Sequence, residues 1–197
     1  MKIVVAGGTG FIGGTLVKRL AAEGHEIVVL TRRGNYVIPG SERRLRYVTW
    51  DPLHPGPWRE ELADASAVIN LAGEAIASCR WTSSRKDKII ASRVVSTQGL
   101  VDGFRRNSRR PRVLINASAI GWYGDRGDAV NTEEAPRGKG FLAEVCWHWE
   151  NAAREAERWG VRVVLPRFGL VLEKHGGVLA KMLPPFIAFL HRAQASG

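Results

Sequence analysis

A glycine-rich turn between a short apolar run and an amphipathic pattern constrains this chain more than any other feature. Ile3 to Ala6 is uniformly apolar and reads as a buried strand. Gly7-Gly8-Thr9-Gly10-Phe11-Ile12-Gly13 follows. It matches GxGxxG through Gly8, Gly10 and Gly13, and GxxGxxG through Gly7, Gly10 and Gly13. Phe11 to Glu23 then places Ile12, Leu16, Val17, Leu20 and Ala21 at helical spacing, with Gly24 as the stop. A strand before and a helix after, within about 30 residues, make a weak motif specific. Glycine allows the sharp turn, the approach of backbone to a pyrophosphate and tight helix–strand packing. The helix N-terminus adds free N–H groups and partial positive charge. Gly7, Gly10, Phe11, Ile12 and Gly13 therefore read as the wall of a dinucleotide site.

The rest of the chain repeats the alternation of apolar runs and helical patterns. Strands are expected at Glu26 to Thr31, Leu45 to Trp50, Ser66 to Leu71, Val113 to Ala117 and Val161 to Pro166, with a short one at Leu170 to Leu172. Helices are expected at Arg85 to Arg106 and Phe141 to Trp159, the latter stopped by Gly160. Loops fall at Arg32 to Glu42, Asp51 to Pro57 and Gly121 to Gly140. The pattern predicts an α/β fold, a Rossmann-like doubly wound parallel sheet with helices on both faces.

The end of the second strand reports on the cofactor. An NAD site of this plan has Asp or Glu there for the ribose 2′-hydroxyl. No acid occurs between Glu26 and Glu42, and the strand ends Leu30-Thr31-Arg32-Arg33. A guanidinium suits a 2′-phosphate, so NADP(H) is preferred over NAD(H).

Composition narrows the remaining classes. Two distant cysteines, Cys79 and Cys146, form neither a zinc site nor a disulfide scaffold, so no metal is expected. No apolar run reaches membrane-spanning length, and the first residues enter a strand rather than a signal peptide. The expected compartment is the cytoplasm, with no membrane partner. The net charge of +10 is unusual. Arg105, Arg106, Arg109, Arg110 and Arg112 form one basic group, and Arg43, Arg44 and Arg46 another. No nucleic-acid motif or stacking pattern of aromatics accompanies them, so no nucleic-acid partner is expected.

With these residues in hand, the chain resembles the epimerase-like family of extended short-chain dehydrogenase/reductases, labelled NAD-dependent epimerase/dehydratase or cell-division inhibitor homologues. The resemblance rests on the glycine turn, Asn70-Leu71-Ala72-Gly73-Glu74, Ser92-Arg93, Ser118-Ala119-Ile120-Gly121-Trp122-Tyr123-Gly124, Phe141 to Cys146, Trp149-Glu150 with Ala152-Ala153, and Arg167 to Leu172. It implies NADP(H) near Gly10 to Ile12, Thr31, Arg32, Leu71, Ala72, Gly73 and Arg93.

The superfamily usually uses Tyr-x-x-x-Lys, with a nearby Ser or Thr. The lysine depresses the tyrosine pKa for acid–base work. This chain has no Tyr-x-x-x-Lys: alignment on Trp149-Glu150 puts Leu142 at the tyrosine position, Cys146 at the lysine position and Ala119 at the serine position. Tyr123, Ser118 and Glu74 remain as candidate catalytic groups, with Glu144 beside them. Cys146 reads as a packed apolar residue and His148 as a solvent-facing one.

Extended members carry a further C-terminal portion of roughly a hundred residues that builds the substrate lobe. The expected organisation is therefore an NADP(H)-binding domain over 1–175, with 176–197 as a remnant or start of a missing lobe. Leu183, Phe186, Phe189 and Leu190 are then expected to be exposed. Two functions follow: an NADP(H)-binding epimerase or oxidoreductase, or a non-catalytic nucleotide-sensing regulator, cell-division-associated, on the same fold. The small-molecule substrate and the oligomeric state stay open.

Overall fold

The computed structural model describes residues 1–32, 44–76, 80–173, 176–177, 179–180 and 183–185. The chain divides into two compact units, Met1–Arg167 and Phe168–Gly197. In the first, β1 (Lys2–Ala6), β2 (Glu26–Thr31), β3 (Leu45–Thr49), β4 (Ala67–Asn70), β5 (Val113–Asn116) and β6 (Arg162–Val164) form one sheet, all pairs parallel. The spatial order is β3-β2-β1-β4-β5-β6. Helices α1 (Phe11–Ala22), α2 (Trp58–Glu61), α3 (Ser83–Arg106) and α4 (Phe141–Arg154) connect them. The second unit contributes a small antiparallel pair, Leu172–Glu173 with Gly176–Gly177.

Unbroken apolar strands make sense when both faces of a sheet are covered. Ile3, Val5, Ile27, Val29 and Ile69 point to one face, with Val17, Leu16 and Leu20 of α1 over them. Val4, Ala6, Val28, Leu30, Val68 and Leu114 point to the other, under Leu100 and Phe104 of α3 and Ala153 of α4. The period of two sorts the side chains, and each face acquires its own core.

Three local differences from the sequence reading have physical causes. Helix α3 starts at Ser83, two residues early, because the Thr82 hydroxyl accepts from the Arg85 N–H at 3.2 Å and caps it. Helix α4 ends at Arg154; Glu155–Trp159 tightens into a 3₁₀ turn before Gly160 adopts a left-handed conformation. Helix α2 was not expected. One turn is too short for periodicity to show, and it forms because Trp58 and Leu62 are driven into the core. Phe186, Phe189 and Leu190 lie outside the described residues, and Leu183 is half-buried.

An ion-pair network ties the edge of the sheet to α2. Arg46 donates to both oxygens of Glu61, Lys2 Nζ lies 3.3 Å from Glu61, and Arg46 also reaches Glu26. The Arg46 hydrogen bond holds the Glu61 carboxyl below its ordinary value near 4.5, with burial opposing it. A depressed folded-state pKa stabilises above the unfolded value and is lost as pH falls through the folded one. Glu61→Gln is therefore expected to cost at most about 1 kcal/mol at neutral pH, and nothing once the wild-type carboxyl is protonated. Urea unfolding across pH 7 to about 3 checks this; a difference that stays constant into acid assigns the effect to packing instead.

Candidate functional site

The glycine turn starts where β1 ends, at the carboxyl edge of the sheet. Gly7 has φ of +79°, in the left-handed region. A Cβ there would stand 2.6 Å from the Leu71 carbonyl carbon and 2.7 Å from the Ala72 nitrogen. The turn thus lies flat against the exit of β4, and only glycine permits it. Gly13 is tighter still: its Cβ would meet the Gly7 carbonyl oxygen at 2.2 Å. The Gly10 N–H donates to that same oxygen at 3.0 Å. Gly10 caps α1 without a side chain, and the first turn of α1 holds no acid. The positive end of the helix is left uncompensated by its own first turn, with Phe11 and Ile12 exposed beside it.

The exit of β4 is held by buried amides. Asn70 Nδ2 donates to Asn116 Oδ1 at 2.7 Å and to Thr97 Oγ1 at 2.9 Å, while its own Oδ1 accepts from the Ala72 N–H at 3.1 Å. Trp149 Nε1 donates to the same Thr97 hydroxyl at 3.1 Å. This network fixes the path of Leu71 and Ala72 past the glycine turn. The strand order reverses between β1 and β4, which is where ligands of such sheets bind.

Arg93 of α3 borders that path. It is 8% exposed, stacks 5.1 Å from the Trp149 ring centroid, and donates to the Glu74 and Ile89 carbonyl oxygens at 3.1 Å. Its guanidinium packs where a Cβ on Gly73 would be, 3.0 Å from Cζ. Burial pushes its pKa down, with Cys146 and Glu74 opposing this. Among the described residues no carboxylate lies within ion-pair distance of Arg93. Glu74 is instead turned to Arg85, at 3.0 Å. At the end of β2, Thr31 is buried and Arg32 exposed; Arg33 lies outside the described residues.

Ser118 and Tyr123 are brought together by two residues to which the sequence reading gives no role. Glu150, 1% exposed, accepts from the Ser118 hydroxyl at 2.6 Å. Arg167 grips Glu150 through two nitrogens, Nε at 2.9 Å and Nη2 at 3.0 Å. Its Nη1 donates to the Tyr123 hydroxyl at 3.1 Å and to the Glu133 carbonyl at 3.0 Å. The guanidinium lies 4.2 Å from the Trp122 ring centroid, and the Glu150 hydrogen bonds drive its pKa further up. The pair joins residues 17 positions apart, so no local spacing announces it. Glu74 belongs to a separate group with Arg85 and the Arg93 side chain.

Leu142 is partly exposed and Cys146 buried, its sulfur 3.6 Å from the Ala119 carbonyl. Burial pushes the Cys146 thiol up, so it stays protonated near neutrality. Leu142 carries no proton to move. The two positions cannot do tyrosine–lysine chemistry. Glu144 and His148 lie 4.0 Å apart, on the outer side of α4. Among the described residues no cluster of His, Cys, Asp or Glu suits a metal, and no helix is long and apolar enough to cross a membrane.

Most of the basic group after α3 is neutralised locally. Arg59, Arg105 and Arg106 converge on Asp102, and Arg109 pairs with Asp64. Arg110 donates to the Phe104 and Trp159 carbonyls and lies over the Trp159 ring. Arg44 caps the Gly24 carbonyl. Arg43 lies outside the described residues.

A doubly wound parallel sheet with its glycine turn at the switch point defines a Rossmann-like α/β domain of the nucleotide-binding kind. The chain belongs to the NAD-dependent epimerase/dehydratase family, whose profile matches residues 3–195. It is 40% identical over its full length to the chloroplastic epimerase family protein SDR39U1 homologue of Arabidopsis thaliana, covering 56% of that protein. It is 38% identical to an epimerase family protein of Staphylococcus saprophyticus, with 98% of this chain and 63% of the relative aligned. Among solved structures, human SDR39U1 with NADPH superposes with a TM-score of 0.75 at 31% identity, over 94% of this chain and 59% of the human one. The nucleoside-diphosphate sugar epimerase of Corynebacterium glutamicum superposes at 0.76 with 35% identity, over 94% of this chain and 37% of that one. The chain thus spans about 60% of the length of its curated relatives.

Proposed function

We propose that this chain is an NADP(H)-binding domain of an epimerase- or oxidoreductase-like protein whose acid–base groups differ from the Tyr-x-x-x-Lys pair. The observation that carries the reading is the cradle itself, in which Gly7 and Gly13 stand where any Cβ would strike backbone, beside an uncompensated helix N-terminus. That geometry fits a pyrophosphate. Arg32, exposed just beyond β2 with no carboxylate near it in sequence, would take the 2′-phosphate. Leu71, Ala72 and Gly73 would border the ribose. Arg93 would offer a buried cation to the dinucleotide, and Thr31 would line the adenine side. The human relative solved with NADPH supports the same cofactor. The nicotinamide would supply hydride chemistry when bound. Of this chain's own groups, Tyr123 would hold or move a proton, a reading supported by the hydrogen bond that its hydroxyl accepts from Arg167.

The second reading is a nucleotide sensor without turnover. It is favoured by Leu142 and Cys146 in place of the proton-transfer pair, and by Ser118 being committed to Glu150.

Two measurements test these readings. Fluorescence titration is expected to show NADPH binding more tightly than NADH. Arg32→Ala is expected to weaken NADPH by about tenfold, in line with the loss of one charged hydrogen-bonding group, and to leave NADH unchanged. Equal loss for both cofactors would remove Arg32 from the 2′-phosphate. NADPH consumption against a panel of carbonyl compounds and nucleotide sugars then separates the enzyme from the sensor. Turnover that falls in Tyr123→Phe selects the first, and saturable binding without turnover the second.

A further inference from the structure

Many of the described arginines are ion-paired: Arg46, Arg59, Arg105, Arg106, Arg109, Arg158 and Arg167 all meet carboxylates. Lys86, Arg137 and Lys139 do not: among the described residues none of these three side chains makes an ion pair or donates a hydrogen bond. All three line one cavity of about 640 Å³, formed by the start of α3, the segment leading into α4, and the outer side of α4. Helix α4 turns Cys146 and Trp149 into the core and Trp147 and His148 outward. The cavity is therefore distinct from the glycine-turn cleft.

Two of the cations, Lys86 and Arg137, are held in place without using their donors. Lys86 Nζ sits 5.2 Å from the Phe141 ring centroid and Arg137 Cζ 5.2 Å from that of Trp147. A ring face attracts a cation through its quadrupole and leaves the N–H groups aimed elsewhere. The segment that carries Arg137 and Lys139 is anchored as well, because the Gly138 N–H donates to the Trp122 carbonyl at 2.9 Å. Glu144 is the one carboxylate among the lining residues, and it lies beside His148. Three cations with free donors, two of them positioned by aromatic rings, against one carboxylate favour a multiply charged oxyanion. The volume lies in the range of small-molecule sites, and a recess suits a small molecule better than a polymer running over a surface.

We propose that this cavity binds a phosphate-bearing small molecule at a site separate from the dinucleotide cleft, with Lys86, Arg137 and Lys139 on its phosphoryl oxygens. The test is calorimetric titration with pyrophosphate at about 0.15 M salt, where long-range surface attraction is screened. Saturable binding is expected, weakened about tenfold or more in Arg137→Ala/Lys139→Ala, which removes two charged donors. Lys86→Gln is expected to weaken it independently. Lys18→Ala/Arg154→Ala, which removes two charges elsewhere, is expected to leave it unchanged. Both altered loop residues are exposed, so the thermal melting of the double variant is expected to match wild type. Three results would overturn the proposal: no saturable binding to the wild type, undiminished binding to Arg137→Ala/Lys139→Ala, or equal weakening in Lys18→Ala/Arg154→Ala.

Discussion

Gly13→Ala is expected to destabilise the chain by about 3 kcal/mol and to abolish cofactor binding, while Gly14→Ala, one residue on, is expected to stabilise it by about 1 kcal/mol. The two substitutions share the same intrinsic gain. Both positions lie in α1, where alanine restricts the unfolded chain and favours the helix. They differ in what the added methyl meets. At Gly13 it would lie 2.2 Å from the Gly7 carbonyl oxygen and 2.8 Å from the Gly8 Cα, both backbone. No rotamer relieves that contact, so the turn must move off β4 or the helix must tilt away from the sheet. At Gly14 the nearest atom is the Gly8 carbonyl oxygen at 3.9 Å, an ordinary contact. Urea unfolding of both variants, with NADPH titration of each, decides the matter. Equal stability changes at the two sites would mean that the turn does not depend on the close approach of α1.

That pair of glycines also shows what a sequence makes legible. The glycine turn can be read because its chemistry is local: seven consecutive residues carry the strand exit, the turn and the helix entry. The sheet can be read because strands buried on both faces need unbroken apolar runs, and Ile27 to Leu30 or Val4 to Ala6 supply them. Helix α2 cannot, since Trp58–Glu61 is a single turn held by tertiary burial rather than by periodicity.

Charge is legible as a count and not as a field. Five arginines between Arg105 and Arg112 read as one basic patch, yet Asp102 faces two of them from the preceding helical turn and Asp64 reaches a third across the fold. Three cations without a carboxylate gather elsewhere: Lys86 lies about 50 residues before Arg137 and Lys139, and the packing of α3 against α4 brings them together. The site divides in the same way. Leu142 and Cys146 can be placed through the family resemblance, because they occupy fixed positions on one helix. The grip of Arg167 on Glu150 joins α4 to the chain beyond β6, and no spacing rule reaches it.

That grip leads to the second large effect. Arg167→Met is expected to destabilise the chain by about 3–5 kcal/mol, because it leaves the Glu150 carboxylate buried with its cation removed. Glu150 is 1% exposed, so water cannot take over the role of the guanidinium. Ser118 continues to donate to Glu150, but one neutral hydroxyl does not balance a full charge in a medium of low dielectric. The double variant Glu150→Gln/Arg167→Met is expected to recover much of the loss, since it removes the charge together with its partner. A double-mutant cycle in urea therefore separates the ion pair from the packing of Arg167 over Trp122 and Tyr123. Recovery in the double variant assigns the effect to the charge. Additive losses would assign it to the aromatic stacking, and Tyr123 would then owe its position to packing rather than to the hydrogen bond from Arg167. The same cycle bears on chemistry, because Tyr123 is the proton-bearing candidate that Arg167 holds. If turnover is found, Arg167→Met is expected to lower it further than the stability loss alone explains, with Arg167→Lys restoring charge but not the two-nitrogen grip on Glu150.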